Sequence, residues 1–310
     1  MKKLLVSALC LPFLVAACSS TPPAEEPADM AMAPPDLTST PDIVVDTSPV
    51  AKRPYMSKAP ASYDPSKKYP LIVLLHGLGG SGSNINGYFQ LNTLVDSQNF
   101  LLAWPDGTNN GFARFWNAND VCCDVFNSGV DDVAYLNAVM ADMGTKYNVD
   151  PKRVYIVGHS NGGFMAHRLA CDSAVRIAAI VSLAGAQWND VSKCNPSEPV
   201  AVLQIHGTAD TTVPYDGGKT LNGQGPVVIS AHETVMDWVS LDKCGGTIDT
   251  TPAAVDLVKD LQGTETTIEK WTGCRGVELW TIHDGVHVPN LTQPAYAQML
   301  VAWLYAHPKP

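Results

Sequence analysis

A five-residue run, Gly158-His-Ser-Asn-Gly162, constrains the fold of this chain more than any other segment. An apolar segment of strand composition (residues 153–157) precedes it, and a helical pattern begins at about Asn161. Such a sharp turn needs glycine at both ends, since a side chain there would collide with the neighbouring strand and helix. The turn would push the hydroxyl of Ser160 out above the sheet, at a helix N-terminus that favours negative charge. The pattern predicts a nucleophile at Ser160. The alternative is a glycine-rich turn with an incidental serine.

Short apolar runs alternate with helical patterns from residue 70 onward. The runs have no polar face, which is typical of strands buried on both sides of a parallel sheet, and the intervening segments have helical spacing. This order predicts an α/β fold with a mostly parallel central sheet covered by helices on both faces. The predicted strands are 71–75, 100–104, 153–157, 178–183, 200–205 and 277–282, and the predicted helices are 131–147, 161–170, 228–241 and 294–306.

A serine hydroxyl is a weak nucleophile at neutral pH, so a base must take its proton and an acid must orient that base. Asp210 follows the predicted strand 200–205, at the carboxyl edge where sites of parallel sheets assemble. We therefore predict Asp210 as the acid. Asp216, beside two glycines, and Asp237, inside a predicted helix, are the alternatives.

Two histidines after the last predicted strand compete for the role of base. His283 directly abuts the strand, whereas His287 lies in the following loop, after Gly285, and can reach across to Ser160. We predict His287 as the base and His283 as a neighbour of the site. His206 is expected to support the loop of Asp210. The other histidines, His76, His159, His167 and His232, are expected to be turn or helix residues.

The tetrahedral intermediate of such a reaction needs backbone N–H donors. One is expected from Asn161, the residue after the nucleophile, and the other from Leu78, in the glycine-rich loop 76–80. A merely flexible turn is the alternative for that loop.

Trp116 and Trp188, together with Phe115, fall in loops or at strand ends, so they are candidates for a substrate wall. Packing in the core or at its rim is the alternative for these aromatic residues.

The first fifty residues point to export. Lys2 and Lys3 precede an apolar stretch (4–17) that is shorter than the roughly 18 residues of a membrane span and ends in Val15-Ala-Ala-Cys18. This resembles a bacterial lipobox, which implies cleavage before Cys18 and lipidation of that residue. Ser19 is not the aspartate that marks inner-membrane retention, so an outer-membrane address is expected. The alternative is an ordinary signal peptide. We predict a signal peptide at 1–17, a Pro- and Ala-rich tether at 18–51, with a hint of a strand at 43–45, and a catalytic domain at 52–310.

The net charge of the chain limits the binding partners that are expected. The formal net charge of −10 argues against nucleic acid, whose binding depends on clustered Lys and Arg, so the membrane is expected as a partner only through the lipid anchor.

An even number of cysteines in an exported domain predicts disulfides rather than a metal site, because the spacing lacks paired C-x-x-C units. Cys244–Cys274 is the favoured pair, and Cys122 or Cys123 is expected to bond outward, with Cys171 as a candidate partner. The six cysteines are Cys122, Cys123, Cys171, Cys194, Cys244 and Cys274.

Several short segments carry a resemblance to a known family. They are Pro70-Leu-Ile-Val-Leu-Leu-His-Gly77, Trp116-Asn117, Cys122-Cys123, Val130-Asp-Asp-Val133, Val149-Asp-Pro-Lys-Arg-Val-Tyr155, Ser160-Asn-Gly-Gly163, His167-Arg-Leu-Ala-Cys171 and His206-Gly-Thr-Ala-Asp210. Together they resemble the esterase group that contains polyhydroxybutyrate depolymerases and feruloyl esterases, over about residues 52–307. The resemblance implies an α/β-hydrolase fold and an exported carboxylic-ester hydrolase that needs no cofactor. Its expected substrates are hydroxyalkanoate polyesters or oligomers first, and feruloyl esters of plant cell walls second. A peptidase and a non-catalytic surface binding protein are the remaining alternatives.

Overall fold

A twisted sheet of nine strands forms the centre of the protein. The structure is a computed structural model that describes residues 48–310. In spatial order the strands are β1-β3-β2-β4-β5-β6-β9-β8-β7. The six adjacent strands β3, β2, β4, β5, β6 and β9 run parallel to one another. Strand β1 pairs antiparallel with β3 at one side of the sheet, and β8 and β7 continue it antiparallel at the other. The strands are β1 (Tyr55–Lys58), β2 (Tyr69–Leu75), β3 (Leu101–Pro105), β4 (Val149–His159), β5 (Ala179–Leu183), β6 (Ala201–Gly207), β7 (Ile248–Asp249), β8 (Thr266–Trp271) and β9 (Val277–Ile282).

Five longer helices cover the two faces of this sheet. They are α1 (Gly82–Phe89), α2 (Asp132–Lys146), α3 (Asn161–Asp172), α4 (Ala231–Leu241) and α5 (Ala295–Ala306). Shorter helical segments are Pro49–Lys52, Leu91–Thr93, Val95–Gln98, Ala174–Arg176, Val191–Lys193 and Thr220–Gly223. Two small hairpins pair Thr108–Asn109 with Arg114–Phe115 and Gly218–Lys219 with Val227–Val228. Each strand and helix predicted within residues 48–310 corresponds to one of these elements.

The alternation of side chains along β2 divides the core into two layers. Leu71 and Val73 pack with α2, α3 and α4, whereas Ile72 and Leu74 pack with α1 and α5. All seven residues of β2 are buried, as expected for a strand covered on both faces. The antiparallel strands β1, β7 and β8 were not predicted, because β1 and β7 are short and partly exposed and β8 mixes charged with apolar residues.

The predicted boundary between tether and domain differs slightly from the structure. The helix Pro49–Lys52 begins before residue 52, and Val50 packs against the core. The predicted signal peptide, Cys18, the strand at 43–45 and the rest of the tether lie outside the described residues. Within residues 48–310, no helix combines the length and apolar character needed to cross a membrane.

Three disulfides link the six cysteines of the described domain. Cys244–Cys274 was predicted and is confirmed. The expectation that Cys122 or Cys123 bonds outward to Cys171 is wrong. Those two neighbours bond to each other, and the chain after β5 brings Cys194 to the end of α3, within 4.9 Å (Cα–Cα) of Cys171.

Candidate active site

Ser160 stands at the junction of β4 and α3 with backbone angles φ 54° and ψ −123°. Its N–H donates to the Leu183 carbonyl on β5 (2.8 Å). A Cβ at Gly158 would lie 2.1 Å from the Gly162 oxygen, and one at Gly162 would lie 2.2 Å from the Leu75 oxygen. Both glycines are therefore required by close backbone approach, and the strained positive φ of Ser160 is held by the strand and helix around it.

The structure brings Ser160, His287 and Asp210 into one chain of contacts. His287 Nε2 lies 2.9 Å from Ser160 Oγ, and His287 Nδ1 lies 2.7 Å from Asp210 Oδ2. His287 extends from the loop after β9, as predicted. His283 lies elsewhere: its exposed ring contacts Thr267 Oγ1 at 3.1 Å. This is the arrangement in which an imidazole can take a proton from serine while a carboxylate fixes its tautomer.

Asp210 is buried in the loop after β6, and its two oxygens have different partners. Oδ1 accepts the N–H groups of Thr212 and Val213 (2.8 and 2.9 Å), which leaves Oδ2 to face His287 and His206. Burial alone would raise the pKa of this carboxyl, but the contacts with His206 and His287 outweigh burial and hold the pKa well below its usual range. Asp210 is therefore ionised at neutral pH. Of the alternative acids, neither Asp216 nor Asp237 contacts His287.

His159 contributes to the site in a way that the sequence did not indicate. Its Nε2 lies 2.8 Å from the main-chain oxygen of His287, and the two rings are 5.1 Å apart. Burial, together with the neighbouring His287, lowers the pKa of His159 to about 4. The ring is thus neutral, and the carbonyl partner requires the proton on Nε2. Its position next to Ser160 was the one available signal.

The two predicted oxyanion donors flank Ser160. Asn161 is the first residue of α3, so its N–H has no intrahelical acceptor. The loop of Leu78 passes close by, since a Cβ at Gly77 would lie 3.2 Å from Ser160 Cβ. No hydrogen bond found among residues 48–310 uses the Leu78 N–H. Both amides are therefore available to an oxyanion.

The Asn161 side chain joins the turn at residues 158–162, which we call the elbow, to the segment that contains Trp116 and Cys122. Its Oδ1 accepts the N–H of Trp116 (2.7 Å), and its Nδ2 donates to the Trp116 oxygen (2.8 Å) and to Cys122 Sγ (3.3 Å). Because Asn161 is fully buried, water cannot replace it as the hydrogen-bond partner of the Trp116 N–H and carbonyl groups.

The predicted aromatic substrate wall is wrong for Trp116 and Phe115. Trp116 is fully buried, and its indole N–H donates to the His76 oxygen (3.0 Å), so it packs in the core beneath the site. Phe115 is buried as well. Trp188 is partly buried, and the charged groups of Arg168 and Lys193 lie 5.2 and 5.5 Å from its ring. It lines neither of the two cavities near Ser160.

Two cavities adjoin the elbow and share Leu78. The first, of about 310 Å³, lies on the histidine side and is lined by His287, His159, Tyr88 and Val288 among others. We call it the histidine groove. The second, of about 100 Å³, has an almost wholly apolar lining and otherwise shares no lining residue with the first. We call it the apolar cavity. Its lining includes Cys122, Cys123, Val125, Phe164, Val213 and Leu221.

The site lies within a segment that matches a known family. Residues 62–233 match the model of the phospholipase/carboxylesterase family. Feruloyl esterase B of Piromyces equi is 28% identical over 243 residues, which cover 76% of this chain and 42% of that protein. Feruloyl esterase C of Emericella nidulans is 31% identical over 194 residues, covering 60% of this chain and 66% of that protein. The chain thus matches less than two thirds of the length of either relative.

A solved structure supports the fold. Acetyl xylan esterase from Aspergillus awamori has a TM-score of 0.56 at 15% identity, covering 81% of this chain and 93% of that one. At this identity the likeness concerns the fold alone, and with the strand order it confirms the predicted α/β-hydrolase fold. Because the family match covers more than half of the sequence, this chain belongs to the phospholipase/carboxylesterase family.

Proposed function

We propose that this protein is a serine esterase that hydrolyses carboxylic esters through an acyl-enzyme. The observation that carries the proposal is the contact chain from Ser160 through His287 to Asp210. Membership of the phospholipase/carboxylesterase family and the names of the relatives support it.

The reaction has two halves, acylation of Ser160 and hydrolysis of the acyl-enzyme, and both use the same groups of the site. Ser160 Oγ attacks the ester carbonyl carbon while its proton moves to His287 Nε2, and the N–H groups of Leu78 and Asn161 stabilise the oxyanion. The intermediate collapses, the bond to the alkoxy oxygen breaks, and the alcohol leaves with the proton from His287. Water then gives a proton to His287 and attacks the acyl-enzyme, which releases the acid and restores the Ser160 hydroxyl.

The two cavities receive the two halves of the ester. His287 Nε2 must reach the alkoxy oxygen to protonate it, so the alcohol lies in the histidine groove. The acyl group then points past Leu78 toward Phe164 and the apolar cavity. The lining of that cavity offers contact to hydrocarbon and aromatic groups and carries no ionisable side chain among the described residues, which favours an uncharged acyl group.

A hydroxycinnamoyl ester is the first candidate substrate, because two relatives are named feruloyl esterases. A hydroxyalkanoate polyester or its oligomers is the second. It is favoured by an apolar rim at the mouth of the apolar cavity, where Leu78, Val125 and Leu221 are 46, 74 and 50% exposed. Exposed apolar side chains in one place fit contact with a solid apolar polymer.

A panel of three esters tests this proposal. The full-length protein and its Ser160→Ala variant are assayed on 4-nitrophenyl acetate, methyl ferulate and hydroxybutyrate oligomers. We expect turnover of the activated ester and of methyl ferulate, with loss of both in the variant. Turnover of the oligomers alone would reverse the order of the two natural substrates. Undiminished hydrolysis by Ser160→Ala would overturn the catalytic assignment itself.

We further propose that the enzyme is exported and held at the cell envelope by a lipid on Cys18. The sequence Val15-Ala-Ala-Cys18 and the three disulfides of the described domain, which suit an oxidising compartment, support this. Cys18→Ser should move the protein from the membrane fraction to the soluble fraction. A membrane-bound Cys18→Ser protein would contradict the anchor.

A further inference from the structure

Four buried polar side chains lead from the core-facing side of α4 to Asp210. Trp238 lies on α4, His167 lies on α3, and Gln204 and His206 lie on β6. Each of the four is at most 1% exposed. Trp238 and its neighbours belong to one apolar layer of the core, where an unpaired polar group is costly.

The direction of the first hydrogen bonds is fixed by chemistry. The Trp238 indole N–H can only donate, and His167 Nδ1 receives it at 2.9 Å. His167 is neutral, because burial lowers its pKa to about 4, so its proton is on Nε2. That nitrogen lies 3.0 Å from Gln204 Oε1, which accepts the bond.

The second half of the chain continues in the same sense. Gln204 Nε2 donates to the Gly185 carbonyl oxygen (2.8 Å), which identifies it as the amide nitrogen, and it lies 3.1 Å from His206 Nδ1. His206 therefore accepts at Nδ1 and donates from Nε2 to the Val213 oxygen at 2.8 Å. The same Nε2 lies 3.4 Å from Asp210 Oδ2.

His206 thus acts on Asp210 in two ways. It holds the carbonyl of Val213, whose own N–H donates to Asp210 Oδ1, and it presents a proton near Oδ2. Oδ2 is the oxygen that contacts His287. Polar groups that only satisfy one another in the core would not need to contact the site. This chain of hydrogen bonds instead ends at Asp210, the carboxylate proposed to orient the base.

We propose that Trp238, His167, Gln204 and His206 form a hydrogen-bonded chain that positions Asp210 for the reaction. The inference rests on the proposed function of Ser160, His287 and Asp210. His206 is the positioning residue next to the carboxylate, and the three others fix its tautomer and orientation.

Two substitutions of His206 separate positioning from packing. His206→Asn leaves an acceptor for Gln204 but has no group that reaches the Val213 oxygen, whereas His206→Gln restores an N–H at about the position of Nε2. On 4-nitrophenyl acetate we expect His206→Asn to lower kcat by roughly 10- to 100-fold with little change in KM, the range for a hydrogen bond to a charged group. His206→Gln should recover most of the loss.

A matched pair of tryptophan variants tests the far end of the chain. Trp238→Phe removes the first donor, and Trp303→Phe removes another buried indole whose N–H has no hydrogen-bond partner among the described residues. We expect kcat to fall about fivefold in Trp238→Phe, the effect of one neutral hydrogen bond, and to stay unchanged in Trp303→Phe. Thermal denaturation of all four variants checks that each is folded at the assay temperature.

The outcomes distinguish this inference from the proposed function. If Ser160→Ala is inactive while His206→Asn has the wild-type kcat, the esterase assignment stands and the positioning chain is wrong. The chain is also wrong if His206→Gln and His206→Asn lose activity equally, or if Trp238→Phe behaves like Trp303→Phe. If Ser160→Ala remains active, the proposed function fails first.

Discussion

His159 Nε2 lies 2.8 Å from the main-chain oxygen of His287, so the residue before Ser160 holds the loop that carries the proposed base. One five-residue turn therefore presents the hydroxyl and also fixes the partner that activates it. A base that moves even slightly from hydrogen-bond distance transfers protons poorly.

Replacing His159 should separate this role from simple packing. His159→Phe leaves the His287 carbonyl without its donor, so we expect kcat on 4-nitrophenyl acetate to fall about tenfold. His159→Gln keeps a side-chain N–H and should retain most of the activity. Equal kcat values for the two variants would show that the hydrogen bond does not matter.

Asp210→Asn should reduce kcat by about 10³- to 10⁴-fold with little effect on KM. The amide nitrogen of asparagine donates where His287 Nδ1 also donates, so the imidazole would adopt the wrong tautomer. Asp216→Asn, in the same loop region but exposed, serves as the control and should keep the wild-type rate. A large loss in the control would mean that the loop, rather than the carboxylate, is responsible.

Asn161→Ala should lower the free energy of unfolding by about 2–4 kcal/mol, because the buried N–H and carbonyl of Trp116 both lose their partner. Asn189 also bridges two backbone groups, those of Val227 and Ile229, but it is exposed. Water can replace it, so Asn189→Ala should change stability by less than about 1 kcal/mol. Urea denaturation measures both, and equal losses would contradict the argument from burial.

Gly162→Ala should prevent formation of the elbow, because the new methyl group would overlap the Leu75 oxygen at 2.2 Å. We expect loss of activity together with a large drop in melting temperature. Gly144 lies in α2 with open space at its Cβ position, and Gly144→Ala should stabilise the protein by about 0.5–1 kcal/mol. An active and stable Gly162→Ala protein would refute the steric requirement.

Asp242 should make stability depend on pH. Burial raises its pKa to about 7, although the Val200 N–H partly opposes this. An unfolded aspartate has a pKa of about 3.9, so between pH ~4 and ~7 the folded protein binds more protons, and its free energy of unfolding falls as pH rises through that window. Asp242→Asn removes the cost of an ionised carboxylate at this buried position. It should therefore raise the free energy of unfolding by about 1–3 kcal/mol at pH 8 and by little at pH 4. Melting curves at both values provide the test, and an equal gain at pH 4 would contradict it.

Local patterns predicted much of the fold because the parallel strands are buried on both faces. The strand at 71–75 appears as β2, and the strand at 277–282 matches β9 residue for residue. Strand β8 was missed, since the charged, partly buried Glu269 and Lys270 interrupt its apolar run and pairing with β9 and β7 defines it. Apolar periodicity reports which residues are buried, and a strand that mixes charged and apolar residues does not show it.

The sequence by itself determined the elbow at Ser160 and the choice of Asp210 and His287, because glycine spacing and the positions after strand ends are local properties. Tertiary structure alone decided what each side chain contacts. It placed Trp116 in the core instead of the substrate wall, paired Cys171 with Cys194, and aligned Trp238, His167, Gln204 and His206 behind Asp210. These contacts join residues distant in the chain, and their energies depend on burial and hydrogen-bond geometry that no local pattern carries.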